Sequence, residues 1–337
     1  MASPPGTYIG TKGDKGMKTK DEALGQLLIC LAPRLRQALG QVAWAEVNEI
    51  RIRKGQPLCL RSPAGNRYVS GDGQRVWDWR QAYCPGTEDI SQTLELMSRY
   101  SLYAVQEEIR QGFFTLPGGY RVGLCGRAVL DGGRVRTLRE IGGLCVRLCR
   151  AVPGCSRGIL PYLDGTGGLP SVLIVSPPGL GKTTLLRDLL RHYSGLGYSM
   201  GLVDERSEVA GCYGGLPQLD VGPHTDVLDG CPKAWGMEML LRSMGPQGIA
   251  VDELGGRADW AALEQAAHGG VGVLGTLHGG GVEDARKKQA AVGLCAPLFD
   301  RYVVLGWQGR RMARVYDGAG ALLAAVPLSG PEEDPHA

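Results

Sequence analysis

The chain has 337 residues, with 37 Lys and Arg against 34 Asp and Glu, and this near balance argues against a dedicated nucleic-acid binder, which shows a basic excess or stripe. No apolar stretch approaches the roughly 20 residues that span a bilayer, and the start of the chain carries no signal-peptide core. The expectation is a cytoplasmic protein of two domains, its ten Cys present as reduced thiols rather than as a disulfide framework.

Residues 1–20 are Gly, Lys, Thr and Pro with almost nothing to bury, so a disordered leader is expected there. Leu24, Leu27, Leu28, Leu31, Leu35 and Leu39 recur at three- and four-residue spacing, which predicts a helix. Glu49-Ile50-Arg51-Ile52-Arg53 alternates as a strand does, and Cys59-Leu60 follows less regularly. A second helix is expected over 87–110, with Thr87 as cap and Glu88 and Asp89 complementing its dipole. Strands over 113–130 and 135–148 follow, broken by Gly118-Gly119 and Asp131-Gly132-Gly133 turns. Cys145, Cys149 and Cys155 form a tight group but lack a neighbouring His and C-x-x-C spacing, so zinc is not expected.

Gly and Pro at positions 154, 158, 161, 165 and 167 mark a linker. The boundary is expected there, between an N-terminal α+β domain at 21–155 and a second domain at 156–327, with a disordered tail at 328–337. From residue 171 strands alternate with helices: strand 171–175, helix 182–193, strand 199–204, a loop, helix 233–243, strand 248–252, helix 259–268, strand 271–275 and a helix from about 282. Such alternation predicts a mainly parallel sheet covered on both faces. Strands near Arg301–Leu305 and Met312–Tyr316 would extend one edge.

The chemistry concentrates in this second half. Ser176-Pro177-Pro178-Gly179-Leu180-Gly181-Lys182-Thr183 follows an apolar strand and opens a helix, as in the phosphate-binding turn G-x-x-x-x-G-K-[ST], with Ser in the first Gly place. Backbone N–H groups of such a turn point at phosphate oxygens, Lys182 supplies a cation and Thr183 a hydroxyl for Mg²⁺. The candidate nucleotide-binding residues are Pro178, Gly179, Leu180, Gly181, Lys182, Thr183 and Thr184. Downstream, the apolar run Gly248–Val251 closes on Asp252 and Glu253, which would emerge beside the turn. Asp252 is expected to hold Mg²⁺ with Thr183, and Glu253 to polarise the attacking water.

Asp204, Glu205 and Glu208 end the next strand and are expected to orient the metal's water shell and Lys182. Thr276 and His278 close another strand, and His278 reads as a γ-phosphate sensor. Arg242 and Arg257 flank the acidic strand as possible phosphate cations, and Arg121, Arg127, Arg139, Arg147 and Arg150 cluster in the first block. A guanine-reading N-K-x-D cannot occur, because Asn stands only at 48 and 66.

Together, Asp204-Glu205-Arg206-Ser207-Glu208, Thr225–Asp229 with Cys231-Pro232-Lys233-Ala234, Arg242-Ser243-Met244, Glu49–Arg53 and Arg121–Arg127 resemble the stage III sporulation protein AA family, over roughly residues 22–305. That family is similar to the ring-forming, hexameric ATPases of type II and type IV secretion. The resemblance implies a RecA-like P-loop ATPase domain behind a smaller α+β domain, using ATP and Mg²⁺. It implies Lys182, Glu253, His278 and Arg242 as catalytic residues, and an arginine of the first block reaching across the subunit interface. A homo-oligomeric ring docked on membrane proteins of a channel between mother cell and forespore is implied as well, with no nucleic-acid partner. Two alternatives stay open: a RecA-like motor on nucleic acid, and an ATP-gated scaffold that binds without hydrolysis.

Overall fold

The computed structural model describes residues 20–328 apart from 63, 100–105, 111, 150, 164–167 and 294–297. The expected leader and tail fall outside these residues, save Lys20 at the start of the first helix and Leu328, which is buried in a core rather than part of a loose tail.

The first half builds a seven-stranded antiparallel sheet from β1 (Glu49–Arg53), β2 (Cys59–Ser62), β3 (Gly65–Val69), β4 (Arg75–Val76), β5 (Phe113–Leu116), β6 (Tyr120–Asp131) and β7 (Arg134–Arg147), in the order β4-β3-β2-β1-β7-β6-β5. Strand alternation divides it cleanly. Ile50 and Ile52 of β1 join Leu60, Val122, Leu144 and Val146 in a core covered by α1 (Lys20–Ile29), α2 (Pro33–Leu39), α3 (Thr87–Met97) and α4 (Gln106–Arg110). Glu49, Arg51 and Arg53 take the opposite face.

Two helices are shorter than the leucine spacing predicts. The run from Leu24 to Leu39 breaks into α1 and α2 because Pro33 cannot donate a helical N–H and forces Ala32 to ψ 148°. Ala32 instead donates its N–H to Thr93 Oγ1 at 3.0 Å. The expected helix over 87–110 is likewise two, α3 and α4, with part of its length outside the described residues. Its cap is Gly86, whose N–H is held by the Asp89 carboxylate at 2.7 Å, rather than Thr87.

The second half forms an eight-stranded sheet from β8 (Val172–Ser176), β9 (Met200–Asp204), β10 (Thr225–Asp229), β11 (Gly248–Val251), β12 (Gly272–His278), β13 (Arg301–Trp307), β14 (Arg311–Asp317) and β15 (Leu322–Pro327). Its order is β10-β9-β11-β12-β8-β13-β14-β15, parallel up to β13 and antiparallel beyond. Every residue of β8 is buried. Val172 and Ile174 pack on one side with α6 (Lys182–Gly195), while Leu173 and Val175 pack on the other with α7 (Lys233–Ser243) and α8 (Arg257–His268). Ala285 of α9 (Val282–Ala291) joins the second side. The helices after β8 and β12 thus leave on opposite faces, which opens a crevice at the carboxyl ends of these adjacent strands.

The connector is more ordered than its glycines suggest. Cys155, Ile159 and Leu163 are buried in the core beneath α6. The Asp188 carboxylate of α6, itself 3% exposed, accepts the N–H groups of Gly154 and Ser156 at 2.8 Å each and the Ser156 hydroxyl at 2.6 Å.

Candidate functional site

The turn from β8 into α6 takes its shape from two glycines. Gly179 and Gly181 sit at φ 82° and 92°, in the left-handed region where an L side chain is strained. Ser176 needs no such freedom. It is the last rung of β8, opposite His278, and its hydroxyl donates to the Pro177 carbonyl at 2.7 Å. Pro178 has no N–H and contributes only to the course of the turn.

Lys182 opens α6 and is almost buried. Its Nζ lies 3.4 Å from the carbonyl oxygens of Ser176 and Pro177 and 3.1 Å from His278 Nδ1. Burial pushes the Lys182 ammonium below its usual range, and the nearby Asp252 and Glu253 charges oppose that shift.

The next residue reaches the acidic strand. Thr183 Oγ1 donates to Asp252 Oδ2 at 2.6 Å, and Thr276 Oγ1 donates to Asp252 Oδ1 at 2.5 Å. Thr276, wholly buried, also accepts the backbone N–H of Glu253 at 2.8 Å. That bond holds Glu253 at φ 54°, an unusual conformation for a residue with a side chain. One Glu253 oxygen lies 3.0 Å from His278 Nε2 and the other accepts from Arg206 at 2.7 Å. Burial raises the Glu253 carboxyl, but the His278 hydrogen bond and the Arg206, His278 and Lys182 charges outweigh it and leave the group below its ordinary range.

Register is what brings these groups together. Val251 pairs with Gly275, and His278 pairs with Ser176, so β12 and β8 end side by side and β11 stops opposite Gly275, which places the two acids that follow it beside Thr276. Lys182, Thr183, Asp252, Glu253, Thr276 and His278 accordingly form one connected hydrogen-bonded group.

The remaining predicted residues have other partners. Asp204 is buried, and its carboxylate accepts the N–H groups of Glu208, Val209 and Ala210 at 2.8–3.0 Å, so it shapes the following loop. Burial is the largest influence on it and holds its carboxyl above the usual range. Glu205 is paired with Lys233. Glu208 is paired with Arg121 of β6, whose guanidinium also stacks 3.6 Å from the Phe113 ring centroid. Arg187 of α6 donates to the Glu208 carbonyl at 2.7 Å and also binds that of Val209.

Arg242 is not brought to the turn. It stands in the last turn of α7, at the amino edge of the sheet, largely exposed and 3.8 Å from Glu238. The turn lies at the carboxyl edge. Arg257, at the start of α8, is exposed. Arg147 faces Glu49 at 3.8 Å, and Arg127 faces Glu140 at 3.6 Å. The roles of Thr276 as a bridge between the two acids and of Arg206 as the second partner of Glu253 were not anticipated. The strand-end Thr-x-His and the Asp-Glu-Arg triplet are the signals that carry them.

Known proteins resemble this chain in family and in fold. The family model described as "Sporulation stage III, protein AA" matches residues 19–323. Stage III sporulation protein AA of Bacillus subtilis (strain 168) is 37% identical over 312 residues, covering 89% of this chain and 97% of that protein. Among solved structures, the ATPase DotB of Legionella pneumophila aligns with a TM-score of 0.54 at 15% identity, over 82% of this chain and 78% of that one. The pilus retraction motor PilT, crystallised with ADP, aligns with a TM-score of 0.54 at 16% identity, over 84% and 80%. At such identities the likeness is one of fold, and the fold is that of the RecA-like secretion and pilus ATPases. The chain therefore belongs to the sporulation stage III protein AA family.

Proposed function

We propose that this protein is a Mg²⁺-dependent ATP hydrolase that drives or assembles a secretion-like channel between mother cell and forespore during endospore formation. The observation that carries the reading is the pairing of Thr183 with Asp252 at 2.6 Å directly beside Lys182. A hydroxyl and a carboxylate at this spacing, next to a buried cation and the N-terminus of α6, fit a magnesium triphosphate. When bound, Mg²⁺ would neutralise charge on the terminal phosphate oxygens.

The chain's own groups divide the work. Lys182 and the backbone N–H groups of 179–184 would hold the phosphates, while Thr183 and Asp252 would be the ligands for the ion. Glu253, kept ionised by Arg206 and His278, takes a proton from the attacking water. Thr276 fixes both acids relative to each other. His278, between Lys182 and Glu253, would report the arrival of the terminal phosphate to the base.

At the level of assembly, the first sheet with its helices would move as one unit against the second sheet and the connector fastened to α6, within a hexameric ring of identical chains. The ring would dock on membrane proteins of the channel from the cytoplasmic side. Among the described residues no helix is long and apolar enough to cross a membrane, so attachment would run through those partners. Phosphate release by the purified chain, with Lys182→Ala as control and mass measured with and without ATP, tests the reading. Release that persists in the Lys182→Ala protein, or no release from the parent chain in any oligomeric state, would overturn it.

A further inference from the structure

β13 lies beside β8 on the flank away from β12, across the turn from Asp252 and Glu253. It outruns its neighbour: Val304 is the last residue paired with β8, and the strand continues to Trp307 before turning back at Gly309, φ 71°. Trp307 and Arg311 are direct partners across this hairpin, so their side chains share a face. The deeper rungs of that face, Leu305 with Ala313 and Val303 with Val315, pack in the α6 core. The hairpin tip therefore projects past the N-terminus of α6.

Arg311 Nη1 comes within 3.7 Å of the point a Cβ on Gly181 would occupy. It is half-buried, and among the described residues its guanidinium has no hydrogen bond, ion pair or aromatic partner. Trp307 is 64% exposed. An unanswered cation beside an anion-binding turn, with an indole on the same face, is a pair of groups whose cost a ligand would offset.

We propose that the β13–β14 hairpin is the nucleoside end of the site, with Trp307 stacking on the base and Arg311 binding a phosphate oxygen near the ribose. This rests on the ATP reading above. If the terminal phosphate lies at Asp252 and Glu253, a linear triphosphate crossing the start of α6 emerges on the β13 flank. Stacking on an indole tolerates any base but favours the larger purine face.

Calorimetric titration of the full chain with MgATP and with magnesium tripolyphosphate, which has no base, tests this. Trp307→Ala is expected to weaken ATP about ten-fold or more while leaving tripolyphosphate unchanged. Arg311→Ala is expected to weaken both. If Trp307→Ala loses both ligands through misfolding, Trp307→Leu keeps apolar bulk without a π face and must show the same fall in the ATP-to-tripolyphosphate ratio. An unaltered ratio overturns the base site alone. Failure of the parent chain to take up either ligand overturns the ATP reading, and the base site with it.

Discussion

His278 Nε2 stands 3.0 Å from Glu253 Oε1, and the other ring nitrogen stands 3.1 Å from Lys182 Nζ. An ammonium facing Nδ1 can only donate, and on the other side of the ring the Nε2 N–H donates a hydrogen bond to the Glu253 carboxylate. One imidazole thus links the phosphate-binding cation to the base.

Glu253→Gln keeps the size of the side chain and its bond to Arg206 but removes the base. Steady-state phosphate release should fall about 10²–10⁴-fold, with nucleotide affinity measured by calorimetry near that of the parent. Comparable turnover in the variant would remove Glu253 from the base role.

The pH dependence follows from the direction of the Glu253 shift. A carboxyl held below its ordinary range stays ionised to lower pH, so its active form is complete at neutral pH and is lost as pH falls through the depressed value. Its contribution to stability has the same sign, present above the unfolded-state value and lost on acidification. Arg206→Ala removes one of the charges that depress it, so the acidic limb of the rate profile should move to higher pH. A limb that stays in place would assign the shift to His278 and Lys182 alone.

Thr276→Val retains shape but deletes a hydroxyl that donates to Asp252 and accepts from the Glu253 N–H. The buried N–H is left without its partner, so stability in chemical denaturation should drop by about 1–3 kcal/mol. Turnover should fall more than nucleotide affinity, because the geometry of both acids is released. Equal losses in both would mark Thr276 as structural only.

Arg121 of β6 pairs with Glu208 in the loop after β9, a half-buried contact that joins the two halves across 87 positions of sequence. A double-mutant cycle of Arg121→Ala and Glu208→Ala should give a coupling of about 1–3 kcal/mol in unfolding, larger than the roughly 0–1 kcal/mol of an exposed pair. Additive effects would show that the pair contributes nothing specific.

The phosphate turn was legible because its chemistry is local: strand, glycines, Lys182 and Thr183 are consecutive. Asp252, Glu253 and His278 were legible as strand ends, since parallel strands deliver their last residues to one edge. What joins them was not, because the bridge by Thr276 depends on Val251 lying opposite Gly275, a register that neither segment states alone. The strand β10 falls in the segment expected to be a loop, because its half-exposed sequence Thr-Asp-Val-Leu-Asp has no continuous apolar run. Arg242 misled through its place before the acidic strand: the helix carrying it runs back along the sheet, so nearness in sequence became distance in space.

The clamp at Asp188 gives α6 a mechanical position of its own. The covalent tether from the first sheet is fastened to that helix through Gly154 and Ser156, and the adjoining Arg187 grips the loop that Arg121 touches. A swing of the first sheet therefore has two handles on the same rod, and the far end of the rod is the lysine that meets the phosphates.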